Sequence, residues 1–156
     1  ALLAYDAELE LVSAKGARWV PYHGFHTGYK LMTLRPEELL ARIRLPRSTF
    51  GLRQYYRKVG TRKAQAIAKV SVAAVARMND NQIADVRLAF GSVAPIPIRC
   101  VRTEAVLQDQ QLGADLIAQA NTELADEIAP IDDIRSTRDY RLRVSQNLLA
   151  EFLSHL

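Results

Sequence analysis

The sequence has few of the residues that build disulfides and metal centres. Its 156 residues include one cysteine, Cys100, so no disulfide can form within the chain. Two of its three histidines, His23 and His26, lie close together beside glycines, but no cysteine, aspartate or glutamate is near enough in sequence to complete a site with them. We therefore expect no metal ligand and no iron–sulfur cluster on this chain.

Long apolar runs and phosphate-binding glycine motifs are also missing. No apolar run approaches the roughly 20 residues of a membrane-spanning helix, and the opening Ala1-Leu2-Leu3-Ala4 has no basic segment before it, so we expect neither a membrane span nor a signal peptide. The seven glycines are scattered, without a G-x-G-x-x-G or P-loop pattern. No Ser/His/Asp or Cys/His constellation occurs, so the sequence indicates no catalytic residue.

Charge of one sign is not concentrated in any segment. The chain has 21 Lys and Arg residues against 17 Asp and Glu residues, a net charge of +4, and the two signs are interspersed. Because no basic stripe is interleaved with aromatic side chains, the sequence does not favour a nucleic-acid binder. Hydrophobic residues make up 49% of the chain, which is ordinary for a globular protein with a real core.

The first third of the sequence predicts antiparallel strands. Residues 8–13 alternate between apolar and polar, and residues 17–21 return after a Lys15-Gly16 turn, which is typical of a hairpin. Residues 39–45 alternate again, and this pattern places Leu40 on the same side as Arg42 and Arg44, as one apolar residue among arginines. Pro46 ends the strand, and we place a domain boundary after residue 48.

A strand that ends at a basic loop follows the boundary. Alternation runs through Leu52, Gln54, Tyr56 and Lys58 and stops at Gly60. Arg62 and Lys63 come next, then a predicted helical turn from Ala64 to Ala68. Glycine permits close approach of the backbone, and loops on rigid scaffolds often carry function, so this loop is suited to an electron-rich ligand. The alternative, from residue types alone, is a solvated basic turn between two core strands.

The remainder predicts two further strands and then helices. Residues 70–78 and 82–93 are the strands, with a turn between them. Helices are predicted from Thr103 to Leu107, over residues 114–128, and from Ser136 onward, where Tyr140, Val144, Leu148 and Phe152 recur at helical spacing as a core face. The second part is therefore a three-stranded antiparallel sheet packed against about three helices, and the fold class is α+β.

The block YYRKVGTRKAQAIAKVSVAAVA resembles the central motif of the flavoprotein component of the molybdenum hydroxylases. That family includes xanthine dehydrogenase, aldehyde oxidoreductases and the medium subunit of aerobic carbon monoxide dehydrogenase. Further stretches resemble the same family in the same order, over nearly the whole chain: ELELVSAKGARWVP, FHTGYKLMTLRPEELLARIRLP, IADVRLAFGSVAPIPIRCVRTEAVL and DDIRSTRDYRLRVSQNLLAEFL.

This resemblance implies the domain organisation and the cofactor. Residues 1–48 are expected to be the C-terminal remnant of an FAD-binding domain, and residues 49–156 the flavoprotein C-terminal domain. The implied role is electron transfer through FAD within a cytoplasmic FAD-dependent oxidoreductase complex, with iron–sulfur clusters and the molybdenum cofactor on partner subunits and an acceptor such as NAD or dioxygen. The isolated chain is expected to be inactive.

The resemblance also implies which residues bind FAD. Lys58 is expected close to the flavin ring, where a cation stabilises the negatively charged reduced form, and Leu40 is expected to pack on the ring. Tyr56 would stack on or border the ring, unless it is a core tyrosine with a hydrogen-bonded hydroxyl. Arg62 would lie in a loop that covers the flavin or steers an anionic nucleotide such as NAD.

The residues just before the Ile-Ala-Lys-Val sequence differ from the xanthine dehydrogenase pattern. Xanthine dehydrogenases carry acidic residues just before the Ile-Ala-Lys-Val sequence, whereas this chain has Ala64, Gln65 and Ala66, so their preference between NAD and oxygen does not transfer. The alternative function is a non-catalytic assembly module that docks the flavoprotein onto partner subunits and does not hold FAD alone. Retention of FAD distinguishes the two functions.

Overall fold

A computed structural model describes residues 1–62 and 65–156 of the chain. In these residues the chain forms three antiparallel sheets and three α-helices. The strands are β1 (Glu8–Ser13), β2 (Gly16–Pro21), β3 (His26–Gly28), β4 (Leu31–Met32), β5 (Leu39–Arg44), β6 (Arg53–Val59), β7 (Val70–Asn79), β8 (Gln82–Gly91) and β9 (Ile98–Arg99). The helices are α1 (Val101–Leu107), α2 (Ala114–Glu127) and α3 (Arg138–Ser154), and a 3-10 turn spans Arg47–Thr49. None of these helices is long and apolar enough to cross a membrane.

The N-terminal sheet has the order β2-β1-β5, so the predicted hairpin of β1 and β2 is confirmed. On one face, Leu9 and Leu11 are buried and form a small core with Phe25. The other face carries two cross-strand ion pairs: Glu8 with Arg44 at 2.6 Å, and Glu10 with Arg42 at 3.2 Å. Because directly opposed residues in antiparallel strands share a face, the buried leucines lie on one face, with Arg18 opposite Leu11, and the ion pairs lie on the other face, with Trp19 opposite Glu10.

The predicted alternation along β5 is wrong at Leu40. The pairing of β1 with β5 shifts register, so Arg42 lies opposite Glu10 whereas Leu40 lies opposite Leu11. This irregularity inserts one extra residue, Ala41, and rotates Leu40 away from the arginines of β5 to the face of the sheet with the buried leucines. The apparent oddity of a leucine among arginines is therefore removed by a β-bulge.

The C-terminal sheet has the order β6-β7-β8-β9, and helices α1, α2 and α3 pack on one of its faces. This arrangement confirms the α+β class. The sheet has four strands rather than three, because the two-residue strand β9 pairs with Ala89 and Phe90. Strand β9 directly follows Pro95 and Pro97. Because prolines are rare inside strands, the sequence did not predict a strand here.

The basic loop and the first helix differ from prediction in detail. Ala64 lies outside the described residues, and residues 65–68 form no helix; Gln65 has a φ of 49°. A main-chain hydrogen bond from Lys69 N to Val59 O (2.7 Å) closes the loop instead. Helix α1 begins at Val101, before Thr103, because Glu127 of α2 accepts the N–H groups of Arg102 and Thr103, both at 2.8 Å.

Candidate functional site

The helix-free face of the four-stranded sheet has a floor of small side chains. Across β6, β7 and β8, Tyr56 lies opposite Ala73, which lies opposite Ala89. One step along, Lys58 lies opposite Ser71, which lies opposite Gly91. These residues share a face because side chains alternate along each strand, whereas the neighbouring Tyr55 packs toward helix α3, with its ring 5.7 Å from that of Phe152.

A cavity of about 350 Å³ lies on this face of the sheet. Its lining comes from four separate parts of the chain: the N-terminal segment, Tyr22 just after β2, strands β6 to β8, and Pro97 just before β9. The lining residues are Ala1, Leu2, Leu3, Tyr22, Tyr56, Ser71, Val72, Ala73, Ala89, Phe90, Gly91 and Pro97. Beside the cavity, Leu3 and Ala4 pack directly on Ala73 and Ala89.

The shape and chemistry of this cavity suit a planar aromatic group. Its floor is formed by small residues, and a Cβ added to Gly91 would lie 2.6 Å from Ser71 Oγ, so a larger residue there would fill the floor. Tyr56 is 64% exposed beside the cavity, which excludes the alternative of a core tyrosine. An apolar, concave site with a few polar groups is the usual form of a cofactor pocket, so these residues fit the ring system of a flavin.

Tyr22 also lines this cavity, and it was not predicted as a site residue. Its Oη lies 3.3 Å from His26 Nε2, and burial raises the pKa of the Tyr22 phenol above its ordinary value. The phenol therefore remains protonated at neutral pH. The sequence signalled His26 only as a weak metal candidate, and the described residues contain no group of three potential metal ligands.

Lys58 lies next to the cavity but does not line it. Its ammonium group donates one hydrogen bond to Ala66 O at 3.1 Å, which leaves two further N–H donors on the exposed side chain. The same contact ties β6 to the basic loop. Close packing supports that loop at its start, where a Cβ on Gly60 would lie 3.1 Å from Ala66 Cβ. The predicted contact of Lys58 with flavin stays a prediction.

Arg62 stabilises the basic loop from within. Its Nε and Nη2 both donate to Gln65 O, at 3.1 and 2.6 Å. Arg62 and Lys58 line a shallow groove on the outer edge of β6, together with residues of helix α3. Lys63, the other cation of the loop, lies outside the described residues.

Leu40 lies on β5 and does not line the cavity that contains Tyr56. Leu40 is 46% exposed on the face of the N-terminal sheet with the buried leucines. The structure thus brings Tyr56 and Lys58 together on one strand face and leaves Leu40 on a separate sheet. Its packing on a flavin ring stays a prediction.

A second cavity, of about 370 Å³, lies at the base of the basic loop and was missed by sequence analysis. Its lining includes the exposed side chains of Tyr29 and Ile67, together with Arg135 and Arg141. Arg141 is only 3% exposed, and its guanidinium donates to Lys69 O (2.6 Å), Ser92 O (2.8 Å) and Asp133 Oδ1 (2.9 Å).

Asp133 balances the charge of Arg141 at this cavity. Its carboxylate accepts the backbone N–H of Arg135 at 2.8 Å and of Ser136 at 3.0 Å. These backbone donors, together with the Arg141 guanidinium, lower the pKa of Asp133 below its ordinary value. The buried arginine is therefore paired with an ionised carboxylate at neutral pH.

Comparisons with known proteins identify the family of this chain. A family model described as "FAD binding domain in molybdopterin dehydrogenase" matches residues 1–48, and one described as "CO dehydrogenase flavoprotein C-terminal domain" matches residues 54–156. The chain therefore belongs to the family of FAD-binding medium subunits of the molybdenum hydroxylases.

Three relatives each match more than nine-tenths of this chain but only about half of their own length. The xanthine dehydrogenase FAD-binding subunit of Escherichia coli O157:H7 is 32% identical over 97% of this chain and 52% of its own length. The glyceraldehyde dehydrogenase medium chain of Sulfolobus acidocaldarius is 32% identical over 92% of this chain and 50% of its own length. The structure of carbon monoxide dehydrogenase from Hydrogenophaga pseudoflava superimposes with a TM-score of 0.89 at 26% identity, over 96% of this chain and 52% of that chain. The chain thus spans about half the length of the relatives it matches.

Proposed function

We propose that this chain is the flavin-binding electron-transfer component of a molybdenum-containing hydroxylase or dehydrogenase. In that role electrons pass between iron–sulfur clusters on one partner subunit, FAD, and an acceptor, while the molybdenum cofactor is held on another subunit. The observation that carries the proposal is the small-residue cavity beside Tyr56, in a chain whose two parts match the two domains of this family. We also propose residues 1–48 and 49–156 as the two domain parts.

The residues of the chain would bind the flavin ring and tune it. FAD, when bound, supplies the redox chemistry, and protein groups supply orientation and electrostatics. The floor of Ser71, Ala73 and Gly91 would accept the flat ring, and Tyr56 would cover its exposed side. Lys58 lies two residues after Tyr56 on the same face of β6. It would place a positive charge near the ring and favour its electron-rich reduced form.

We also propose that the reduced flavin passes its electrons to an acceptor such as NAD or dioxygen. The second cavity carries an exposed aromatic ring (Tyr29), an apolar side chain (Ile67) and a cation (Arg135), a combination that suits a nucleotide. The complex is first reduced with dithionite, and either NAD or dioxygen is then added. Flavin absorbance during reoxidation shows which of the two accepts the electrons. Oxidation by dioxygen alone, with no effect of NAD, would contradict the nucleotide proposal.

The first experiment is the visible absorbance spectrum of the purified chain with and without FAD. The bands of oxidised flavin, if they stay with the protein through gel filtration, support ring binding by these residues. The matched variants are Ala73→Leu, which places a larger side chain in the floor, and Ala118→Leu on the exposed side of α2 as its control. We expect loss of bound flavin in the first variant only.

The second candidate function is the assembly module. A protein without flavin absorbance, even after FAD is added, would favour it. One observation supports this candidate: the chain has no glycine-rich segment of the kind that holds a pyrophosphate. Binding of FAD by the full-length flavoprotein, but not by this chain, would then show that the ring cavity needs an upstream phosphate site. Absence of FAD from both would overturn the proposed function.

A further inference from the structure

A charged cluster joins the N-terminal segment to the sheet that carries the cavity. Arg99 on β9 has a side chain that is 12% exposed, and its Nη1 donates to Asp6 Oδ1 at 2.5 Å and to Leu3 O at 3.1 Å. Its Nε pairs with Glu104 of helix α1. One guanidinium therefore connects the main chain of residue 3, the side chain of residue 6 and a helix about a hundred residues further along.

A second arginine of the sheet contacts the same aspartate. Arg87 on β8 has a side chain that is 15% exposed, and its Nη1 lies 3.1 Å from Asp6 Oδ2. The two carboxylate oxygens of Asp6 therefore face two different arginines. Both guanidinium groups are mostly buried, whereas the Asp6 side chain is 45% exposed, so water and salt screen these pairs from the aspartate side only.

The backbone at Asp6 lies in the left-handed region. Its φ is 47°, a conformation that aspartate adopts more readily than most residues other than glycine. The Asp6 N–H donates to Leu3 O at 3.2 Å and the Asp6 carboxylate contacts the two arginines, so both the main chain and the side chain of Asp6 are held in this turn.

Glu104 fixes the other side of Arg99. Its carboxylate accepts the Leu88 N–H at 2.6 Å, so it is attached to the main chain of β8. Burial raises the pKa of Glu104 above its ordinary value, and the Arg99 guanidinium opposes that rise. The cluster of Asp6, Arg87, Arg99 and Glu104 also includes Asp85, whose Oδ2 lies 3.2 Å from Arg87 Nη2, and Glu104 attaches it to the main chain of β8.

The cluster determines where the N-terminal wall of the cavity stands. Leu3 and Ala4, just before Asp6, are buried against Ala73 and Ala89 of the floor, and Leu2 and Leu3 line the cavity. We infer that Arg99 and Asp6 are positioning residues for the flavin site: they hold residues 1–6 as a wall beside the floor and so determine how well a bound ring is shielded from water. This inference rests on the proposed function.

The test uses the full-length flavoprotein in its complex and the variant Asp6→Asn. This change keeps the shape of residue 6 and leaves the pair of Arg99 with Glu104 intact, so the sheet should still fold. The control is Glu8→Gln, which removes the exposed ion pair with Arg44 (2.6 Å) on the far face of the N-terminal sheet. The readouts are the FAD dissociation constant from a fluorescence titration and iodide quenching of bound flavin at saturating FAD.

We expect Asp6→Asn to weaken FAD binding by about tenfold and to increase the quenching of bound flavin by iodide, whereas Glu8→Gln changes neither. A purely structural role would lower the thermal midpoint without changing quenching at saturation, and that result would overturn the inference. Arg99→Lys is the second variant, since lysine keeps the charge but reaches fewer partners, and it should give the same direction of change. If the unaltered flavoprotein fails to bind FAD, the proposed function fails with the inference; if it binds and Asp6→Asn matches it, only the inference fails.

Discussion

Gly91 and Ser71 face each other across β7 and β8, and a Cβ on Gly91 would lie 2.6 Å from Ser71 Oγ. Among the described residues, no other heavy atom beyond the chain neighbours lies within 4 Å of that position. Within that part of the chain, a side chain at position 91 would therefore conflict only with Ser71.

This contact predicts that Gly91→Ala lowers the free energy of unfolding when Ser71 is present but not when Ser71 is replaced by alanine. Gly91→Ala should lower the free energy of unfolding by about 1 kcal/mol, because Ser71 must leave its rotamer. In a Ser71→Ala background the same change should be neutral or stabilising, since alanine is preferred to glycine within a strand. Urea denaturation of the four proteins measures the coupling. The control is Gly113→Ala at the exposed N-cap of α2, whose own effect on stability should be the same with and without Ser71→Ala. Equal destabilisation in both backgrounds would contradict the predicted contact.

Strands were predictable because alternation depends on near neighbours in sequence. It located β1, β2, β6, β7 and β8, and it placed Tyr56 and Lys58 on one face. The bulge that rotates Leu40 depends on pairing with β1, which the sequence of β5 does not contain. The positions of these five strands were therefore readable from the sequence, whereas the register of a strand against its partner and the short strands β3, β4 and β9 were not.

Burial of a charged residue was the least predictable feature. Helical spacing favoured Tyr140 as part of the core face of α3, yet Tyr140 is 42% exposed and Lys69 Nζ lies 5.0 Å from the centroid of its ring. Arg141 is buried instead. The sequence did not indicate this, because its acceptors Lys69 O and Ser92 O lie 72 and 49 residues away in sequence. The cavity walls from residues 1–3 and Tyr22 were missed for the same reason: each belongs to a different part of the fold.

The proposed charge effect of Lys58 predicts a change in flavin potential. In the full-length flavoprotein, Lys58→Met should lower the potential, because removal of a nearby cation disfavours the reduced, electron-rich ring. A shift of about 30 mV corresponds to ~1.4 kcal/mol for a two-electron couple and is the order expected. Titration with redox dyes measures it.

The control for Lys58→Met is Lys15→Met in the exposed β1–β2 turn, which removes the same charge far from the floor residues in the chain. Both variants should keep the thermal midpoint within a few degrees. An unchanged potential in Lys58→Met would remove Lys58 from the flavin site, even if the protein still bound FAD.

Glu38 predicts an acid-sensitive contribution to stability in the N-terminal sheet. Arg18 donates to both carboxylate oxygens, at 2.6 and 2.8 Å, and Arg35 N donates at 2.9 Å, which holds the pKa of Glu38 at about 2 against an ordinary 4.5. Because the folded-state pKa is lowered, the stabilisation is present above pH 4.5 and is lost as pH falls toward about 2.

Thermal midpoints of the unaltered protein and Glu38→Gln, measured from about pH 6 down to about pH 3, test this sign. The difference between them should be largest at the higher pH and should shrink as the solution becomes more acidic. Glu37→Gln, at the exposed neighbouring position, should show no such dependence. A difference that stays constant with pH would mean that Glu38 acts through its shape rather than its charge.

Arg141 provides a matched pair of substitutions on helix α3. Arg141→Met keeps much of the aliphatic volume but leaves Lys69 O, Ser92 O and Asp133 without their buried donor, so the free energy of unfolding should fall by about 3 kcal/mol. Arg143→Met, two residues along the same helix at an exposed position, removes the same charge and should cost less than about 0.5 kcal/mol. Chemical denaturation measures both. Because Lys69 N closes the basic loop at Val59 O, loss of Arg141 should also free the base of that loop, which amide hydrogen exchange at Lys69 detects. Equal stability of the two variants would show that the three acceptors are satisfied without Arg141.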